Sequence, residues 1–449
     1  MGTDTNRTLY PTEPLKIWDE AKQLRAKYFR EYVDAGKNGK LRVLSGTTTT
    51  PALASGFGND VALMGIEPLL ANLSFHADFA LQCFIASESF GFAREMCGMS
   101  KLIWGSAILN KFVMTDGSVL DEWPVPDFIL CLGPTACHNK LAQFLAEYKG
   151  IPSYFIDTPQ YYPHNSEHVL KYLTTQVLDA IEWMEKKTRK KFDDELFIKN
   201  VHNHCESFNL WSRTMLLNQN IPAPLDEKTM FALIGLNVLR PYSDEVVSFY
   251  SRLFEEVKDR VSRGIASVAN EQFRIISDAI PPWPYLNIWR YLEREYGIVS
   301  VGSPYSMIIA GSWMFDDKGD LVPVPTPKQM NMKVTNREEA VRALIWYKSH
   351  FSTESNYTTA SVPAQHQLVE AIARQWKAQA AILHLNRGCP MQGMGGVESK
   401  NALLKAGVRS IFIEGSCADP RELNMARVKE EIDVFLDFLG IRKPAGQKV

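Results

Sequence analysis

Short apolar runs that stop at glycine, proline or polar residues recur along the chain, with helix-like stretches between them. The run at 128–132 holds five apolar residues and is followed by Gly133, which is typical of a buried parallel strand. Strand, helix and strand in this order predict parallel α/β units. We expect strands at 41–44, 128–132, 151–157, 273–279, 297–302, 381–385 and 410–414.

Apolar residues spaced three or four apart predict the helices. They occur at 13–35, 69–92, 139–148, 245–263, 286–297 and 427–439. The predicted fold class is α/β, with two parallel-sheet α/β domains and a mainly helical domain. The predicted domains are an N-terminal helical segment at 1–40, a first α/β domain at 41–165, the helical domain at 166–265 and a second α/β domain at 266–449.

The composition excludes several classes of protein. The 449 residues carry a net charge of −2, whereas a nucleic-acid-binding face normally shows as a basic excess. No apolar run approaches the ~20 residues of a membrane-spanning helix, and the first residues lack the apolar segment of a signal peptide. The chain has no GxxxxGKS/T motif and no GxGxxG after a strand. We expect a cytoplasmic protein without a nucleic-acid or membrane partner and without its own P-loop.

Three of the seven cysteines closely follow predicted strands. The carboxyl ends of parallel strands border the crevice where α/β proteins bind ligands, so these cysteines are placed for chemistry. Cys97 differs, because it closes a helix-like stretch and precedes Gly98, a residue that ends helices well. The three that follow strands are Cys137 after 128–132, Cys389 after 381–385 and Cys417 after 410–414.

The remaining cysteines, Cys83, Cys131 and Cys205, lie inside apolar or helical segments and are predicted to be small buried side chains. An odd count in a cytoplasmic protein argues against a disulfide set, and the chain has no CxxC pair. Composition alone favours unrelated buried thiols. The repeated placement of Cys137 and Cys389 favours instead one site shared by two α/β domains. Thiolates suit an iron-sulfur cluster or zinc.

Several neighbours of these cysteines have two readings each. His138 either caps a helix or supports a neighbouring residue, or it donates a proton; the sequence favours neither role over the other. Arg387, with the asparagine before it, is placed to contact cluster sulfurs or a substrate phosphate, or to form a structural salt bridge. The loop at 45–59, with Glu67, is a substrate wall or an ordinary loop and helix start. The His202–Cys205 stretch is no zinc site, because residues two apart on a helix face different ways.

Five groups of residues resemble the benzoyl-CoA reductase and 2-hydroxyacyl-CoA dehydratase family. The similarity covers roughly residues 40–440, and the long spacings between the groups make it specific. The groups are Glu95-Met96-Cys97 with Gly105, Pro134-Thr135-Ala136-Cys137 with Lys140, residues 385–389, Ile413-Glu414, and Asp419-Pro420-Arg421.

The resemblance implies a 4Fe-4S cluster between domains, held by Cys97, Cys137 and Cys389. Cys417 stands where the family does not generally have cysteine. It is a fourth ligand, a bridge to a second cluster or a bystander, and we take it as a bystander. The chain also departs from many relatives in having His138 after Cys137 and Ala380-Ala381 before the third ligand strand.

With these departures and this length, the chain most resembles the larger cluster-bearing subunit of an ATP-dependent benzoyl-CoA reductase. The resemblance then implies electron transfer from the cluster to the aromatic ring of benzoyl-CoA or a related aryl-CoA, with His138 as proton donor. Partner subunits would hydrolyse ATP and take electrons from reduced ferredoxin, and a paralogous cluster-bearing subunit would complete the catalytic unit. The alternatives are an (R)-2-hydroxyacyl-CoA dehydratase subunit that uses ketyl radical chemistry, and a non-catalytic electron-transfer subunit.

Overall fold

The computed structural model describes residues 9–46, 49–133, 135–159, 166–350, 362–389 and 395–443. The seven predicted strands are confirmed as β1, β5, β6, β7, β8, β11 and β12. The described strands are β1 (Leu41–Ser45), β2 (Val61–Gly65), β3 (Phe112–Val113), β4 (Val119–Leu120), β5 (Phe128–Leu132), β6 (Ser153–Ile156), β7 (Phe273–Asp278), β8 (Ile298–Ser300), β9 (Trp313–Phe315), β10 (Leu321–Pro323), β11 (Ala380–Asn386) and β12 (Arg409–Gly415).

Eight of these strands form two parallel four-stranded sheets, which confirms the α/β class. The first sheet has the order β2-β1-β5-β6 and the second β12-β11-β7-β8. In the first sheet Val43 of β1 pairs with Leu63 on one side and Phe128 on the other. Every residue of β2 and β5 is buried, as expected for strands covered on both faces. The pairs β3–β4 and β9–β10 are antiparallel hairpins outside these sheets.

The helices cover the sheet faces and fill the middle of the chain. They are α1 (Trp18–Asp34), α2 (Thr50–Leu53), α3 (Ile66–Phe75), α4 (Ala77–Phe90), α5 (Gly98–Leu109), α6 (Ala136–Lys149), α7 (Glu167–Thr188), α8 (Asp194–Leu217), α9 (Glu227–Leu233), α10 (Gly235–Leu239), α11 (Asp244–Ser262), α12 (Asn287–Tyr296), α13 (Pro304–Ile308), α14 (Arg337–Lys348), α15 (Val362–Gln375), α16 (Gly396–Lys405) and α17 (Met425–Phe438).

Polar side chains fix where the long helices begin. Ser166, Asp193 and Ser243 cap α7, α8 and α11 by accepting a hydrogen bond from the backbone N–H three residues on. The predicted N-terminal helix is confirmed as α1. The single helix predicted over 69–92 is wrong, because α3 and α4 break at His76 and meet at 113°.

The hydrophobic core joins the two sheets. Its larger cluster contains Leu44 and Ile129 of the first sheet together with Ile276 and Leu383 of the second. A smaller cluster packs the opposite face of the first sheet against α7, α8 and α14. Both halves therefore share apolar packing, which fixes the carboxyl ends of their strands relative to each other. The predicted domain boundaries stay a prediction.

Within the described ranges no single helix is long and apolar enough to cross a membrane. Among the described residues, the bent pair α3 and α4 reaches that length and hydropathy when its two helices are taken together.

Candidate functional site

The site begins at the turn that follows β5. Thr135 accepts a hydrogen bond from the backbone N–H of His138 and so caps α6. Cys137 is therefore in the first turn of a helix, where backbone N–H groups have no partner within the helix. The Pro134 of the matching motif lies outside the described residues. The predicted position of Cys137 beyond a strand end is confirmed.

The structure corrects the predicted setting of Cys97. Gly91 adopts φ of 116° and ends α4 after Phe90, so the helix does not continue to Cys97. Cys97 is instead the N-cap residue of α5. Gly98 is the first residue of that helix, where a Cβ would lie 2.6 Å from the Oγ of Ser416. Its small size serves contact with the second half of the chain, which local pattern does not reveal.

Cys389 and Cys417 lie on neighbouring loops that Asn386 connects. The Asn386 carbonyl accepts a hydrogen bond from the Cys389 backbone N–H at 3.2 Å. Its side-chain Oδ1 accepts one from the Cys417 backbone N–H at 2.9 Å. Arg387 forms ion pairs with Glu414 at 3.0 Å and Glu422 at 2.6 Å, which is the structural salt-bridge alternative.

The four cysteines at element ends converge from both halves of the chain. Cys97 and Cys137 are hydrogen-bonded through their side chains. This hydrogen bond lowers the pKa of Cys97 and raises that of Cys137, and burial raises both. Cys389 and Cys417 lie near enough to raise the pKa of Cys137 further by charge repulsion. Burial, with repulsion from Cys97 and Cys389, raises the pKa of Cys417.

The donor chemistry fits an iron-sulfur cluster, since several thiols gather with the backbone N–H groups of Met99 and Ser100 directed at Cys97. Within the described part of the chain no group of three or more His, Cys, Asp or Glu has a metal-holding arrangement. The convergence therefore supplies suitable donors, and the cluster itself stays a prediction.

His138 faces a short polar network beside the cysteines. Its Nδ1 lies 2.8 Å from Thr135 Oγ1, and its Nε2 lies 3.9 Å from Glu67 Oε1. Tyr305 donates a hydrogen bond of 3.0 Å to the other oxygen of Glu67. Glu67 also acts electrostatically on Cys417. Glu67 thus lies at the site, which favours the functional reading of this residue. In the loop at 45–59, which was predicted together with Glu67, residues 47–48 lie outside the described residues.

An ion-pair network ties the two halves together next to Cys97. Arg421 donates two hydrogen bonds to Glu88 at 2.6 and 3.1 Å and also pairs with Asp419 at 2.6 Å. Lys101, whose side chain is only 1% exposed, donates to the same Glu88 at 3.1 Å. The hydrogen bonds that Arg421 donates to the Asp419 and Glu88 carboxylates raise the pKa of Arg421. Arg421 of the matched motif therefore links the two halves of the chain through Glu88, and Asp419 of the same motif holds the Arg421 side chain in place.

The other cysteines are confirmed as buried side chains. Cys83, Cys131 and Cys205 have no exposed surface. Burial raises the pKa of Cys131 to about 12 and that of the other two as well. The His202–Cys205 stretch lies within α8, as the argument against a zinc site requires.

Comparison with known proteins gives one family and several relatives. Residues 80–439 match the family model described as 2-hydroxyglutaryl-CoA dehydratase, D-component. The chain is 24% identical over 374 residues to an (R)-2-hydroxyisocaproyl-CoA dehydratase alpha subunit of Clostridioides difficile, covering 80% of this chain and 81% of that protein. It is 25% identical over 370 residues to an (R)-phenyllactyl-CoA dehydratase alpha subunit of Clostridium sporogenes, covering 80% of each.

A third relative is the alpha subunit of (R)-2-hydroxyglutaryl-CoA dehydratase of Acidaminococcus fermentans. It is 25% identical over 321 residues, which are 70% of this chain and 61% of that protein. All three relatives carry dehydratase names. The comparisons therefore support the dehydratase alternative better than the expected benzoyl-CoA reductase.

Proposed function

The chain belongs to the 2-hydroxyglutaryl-CoA dehydratase D-component family, and we propose that it is a catalytic subunit of an (R)-2-hydroxyacyl-CoA dehydratase. The observation that carries this proposal is the gathering of Cys97, Cys137 and Cys389 from two α/β sheets in a chain of this family. The reaction removes the hydroxyl group from carbon 2 and a proton from carbon 3. It yields a 2-enoyl-CoA and water, with no net oxidation.

Cys97, Cys137 and Cys389 would hold a 4Fe-4S cluster in this proposal, and Cys417 would not be a ligand. When bound, such a cluster supplies one low-potential electron to the thioester carbonyl, which lets hydroxide leave from the neighbouring carbon, and the electron is later recovered. Cys97 and Cys417 are almost fully buried, so the protein keeps bulk water from this chemistry.

His138 and Glu67 would hold and transfer protons beside the cysteines. Thr135 fixes the imidazole through Nδ1, which directs Nε2 toward Glu67. A proton held at Nε2 is then available to the departing hydroxide. Tyr305 donates to Glu67 and holds the carboxylate in place for this exchange.

The proposed partners follow from the same chemistry. The chain has no P-loop, so ATP hydrolysis and electron delivery from reduced ferredoxin would belong to separate activator subunits. The dehydratase relatives are named alpha subunits, which supports a second, paralogous subunit beside this chain. We expect no nucleic-acid or membrane partner.

ATP stoichiometry tests the proposal. The complex, purified without oxygen and primed once, is given an (R)-2-hydroxyacyl-CoA or benzoyl-CoA, and ATP used per product formed is measured. A dehydratase needs ATP only for priming, so many enoyl-CoA molecules should form per ATP. A reductase uses ATP with each electron and would convert benzoyl-CoA. A cluster that responds spectrally to neither thioester would indicate the electron-transfer alternative.

A further inference from the structure

A cavity of about 630 Å³ is lined in part by Trp283. Its walls come from α1, α3, α9 and the segment around Trp283. The volume falls within the ~300–1,000 Å³ of small-molecule sites. The Trp283 backbone N–H donates a hydrogen bond of 3.0 Å to the carbonyl of Cys417, so this wall is shared with the candidate site.

The cavity is lined by cations and has no carboxylate among the described residues that form it. Arg25, Lys228 and Arg290 contribute positive charge. Arg290 is balanced by Glu293 at 2.5 Å and Asp226 at 3.7 Å. For Arg25 and Lys228 the described residues provide no ion pair, and the Arg25 Nη1 reaches only a backbone carbonyl at 3.5 Å.

The burial of these two cations favours an anionic ligand. Burial lowers the pKa of both Arg25 and Lys228. Repulsion from Arg290 lowers the pKa of Lys228 further, and attraction to Asp226 and Glu293 offsets these effects only in part. A bound phosphate would supply that compensation, and guanidinium and ammonium groups are the usual phosphate contacts in proteins.

Aromatic side chains form the rest of the wall. The rings of Phe75 and Phe231 pack edge-on to Trp283, at centroid distances of 6.0 and 5.7 Å. Phe75 is 53% exposed although it is apolar, and it borders the cavity. Exposed rings of this kind stack on nucleobases. The cavity therefore offers an aromatic wall for a planar group and cations for a phosphate.

We propose that this cavity binds the phosphorylated adenosine end of the coenzyme A thioester, with Arg25 and Lys228 contacting phosphate and Phe75 packing against adenine. The assignment rests on the proposed function for its ligand. The thioester end of the same molecule would then extend around Trp283 toward the cysteines. The side chains of Trp283 and Tyr305, whose centroids are 5.8 Å apart, form the layer between cavity and Glu67.

Titration calorimetry on the full complex tests the assignment, with coenzyme A, dephospho-coenzyme A and inorganic phosphate as probes. Arg25→Gln and Lys228→Gln should each weaken coenzyme A binding about tenfold, since each removes a charge-assisted hydrogen bond. Arg25→Lys should restore part of the loss. Lys186→Gln changes an exposed cation on α7 that pairs with Glu182 of the same helix, and it should bind like the wild type.

Unchanged coenzyme A affinity in either glutamine variant overturns the assignment, and so does phosphate binding as tight as that of coenzyme A. Lys228 is partly exposed, so Lys228→Gln carries the test if Arg25→Gln does not fold. A failure of the cavity assignment can be distinguished from a failure of the proposed dehydratase function. Dehydration with an unchanged KM in both variants contradicts the cavity alone. Weakened coenzyme A binding in a complex that dehydrates no 2-hydroxyacyl-CoA contradicts the function alone.

Discussion

Gly388 rests directly on the backbone of Met96. A Cβ on Gly388 would lie 2.8 Å from both the carbonyl carbon and oxygen of Met96, and the residue has a φ of +71°. Because Met96 precedes Cys97 and Gly388 precedes Cys389, one backbone contact sets the separation of two proposed cluster ligands. The two sheets contribute to one site through this contact between their loops.

Gly388→Ala should therefore lower iron content without removing a thiol. The added methyl group must push the two loops apart, which displaces Cys389 from Cys97. Gly407→Ala is the matched control, since Gly407 has a similar φ of +80° but nothing within 4 Å of its Cβ. Both variants should lose about 1 kcal/mol from backbone strain. Equal iron content in the two variants would show that the contact does not position the ligands.

Gly105 allows α5 to pack against α4. A Cβ there would lie 1.9 Å from the carbonyl oxygen of Cys83, which is backbone and cannot move aside. Gly105→Ala should lower the free energy of unfolding by at least 1–3 kcal/mol, the usual cost of overpacking. Gly235→Ala, where the nearest atom is 3.5 Å away, should cause little loss. Denaturant unfolding of the two variants measures the difference, and equal losses would contradict the packing argument.

Glu88 is the shared partner of Lys101 and Arg421, so its loss leaves both cations without that carboxylate. Glu88→Ala should destabilise the protein by about 2 kcal/mol, between the values for exposed and fully buried ion pairs, because Lys101 is buried whereas Glu88 and Arg421 are about a quarter exposed. Glu414→Ala removes an exposed partner of Arg387 and should cost at most about 1 kcal/mol. Thermal unfolding of both variants measures this contrast. A loss of stability in Glu88→Ala as small as that in Glu414→Ala would show that the network does not stabilise the contact between the two halves of the chain.

His384 on β11 should make stability depend on pH. Burial lowers the pKa of His384 from 6.5 to about 4, although its Nδ1 lies 2.7 Å from the Ile280 carbonyl. The unfolded chain takes up a proton as pH falls through 6.5, whereas the folded protein does not until about pH 4. Stability is therefore lost as pH falls across this window, by up to about 3 kcal/mol.

His384→Gln keeps a donor for Ile280 and removes the titrating group. Unfolding free energies measured from pH 7 to pH 4 should fall less steeply in this variant than in the wild type. Parallel curves would mean that other groups cause the acid loss of stability.

The sequence predicted the cysteines that follow strands better than the one that precedes a helix. A buried strand has a local signature, so Cys137 and Cys389 could be placed at strand ends in advance. Cys97 could not, because its apolar neighbours have helical spacing up to the turn at Gly91. The edge strand β2 was missed as well, since its short apolar run leads directly into α3.

Long-range pairs left no local signal. Arg421 and Glu88 are 333 residues apart and meet only because both sheets share a core. Ala380 and Ala381, where the chain departs from many relatives, are both fully buried within β11.

Iron and acid-labile sulfide, measured on the anaerobically purified complex, test the central claim most directly. Cys97→Ala, Cys137→Ala and Cys389→Ala should each lose the cluster, whereas Cys417→Ala should keep the wild-type iron and sulfide content. Cys83→Ala, which changes a buried thiol away from the site, controls for general destabilisation. A wild-type complex without iron after anaerobic reconstitution, or ligand variants that retain the full content, would contradict the proposed three-cysteine cluster.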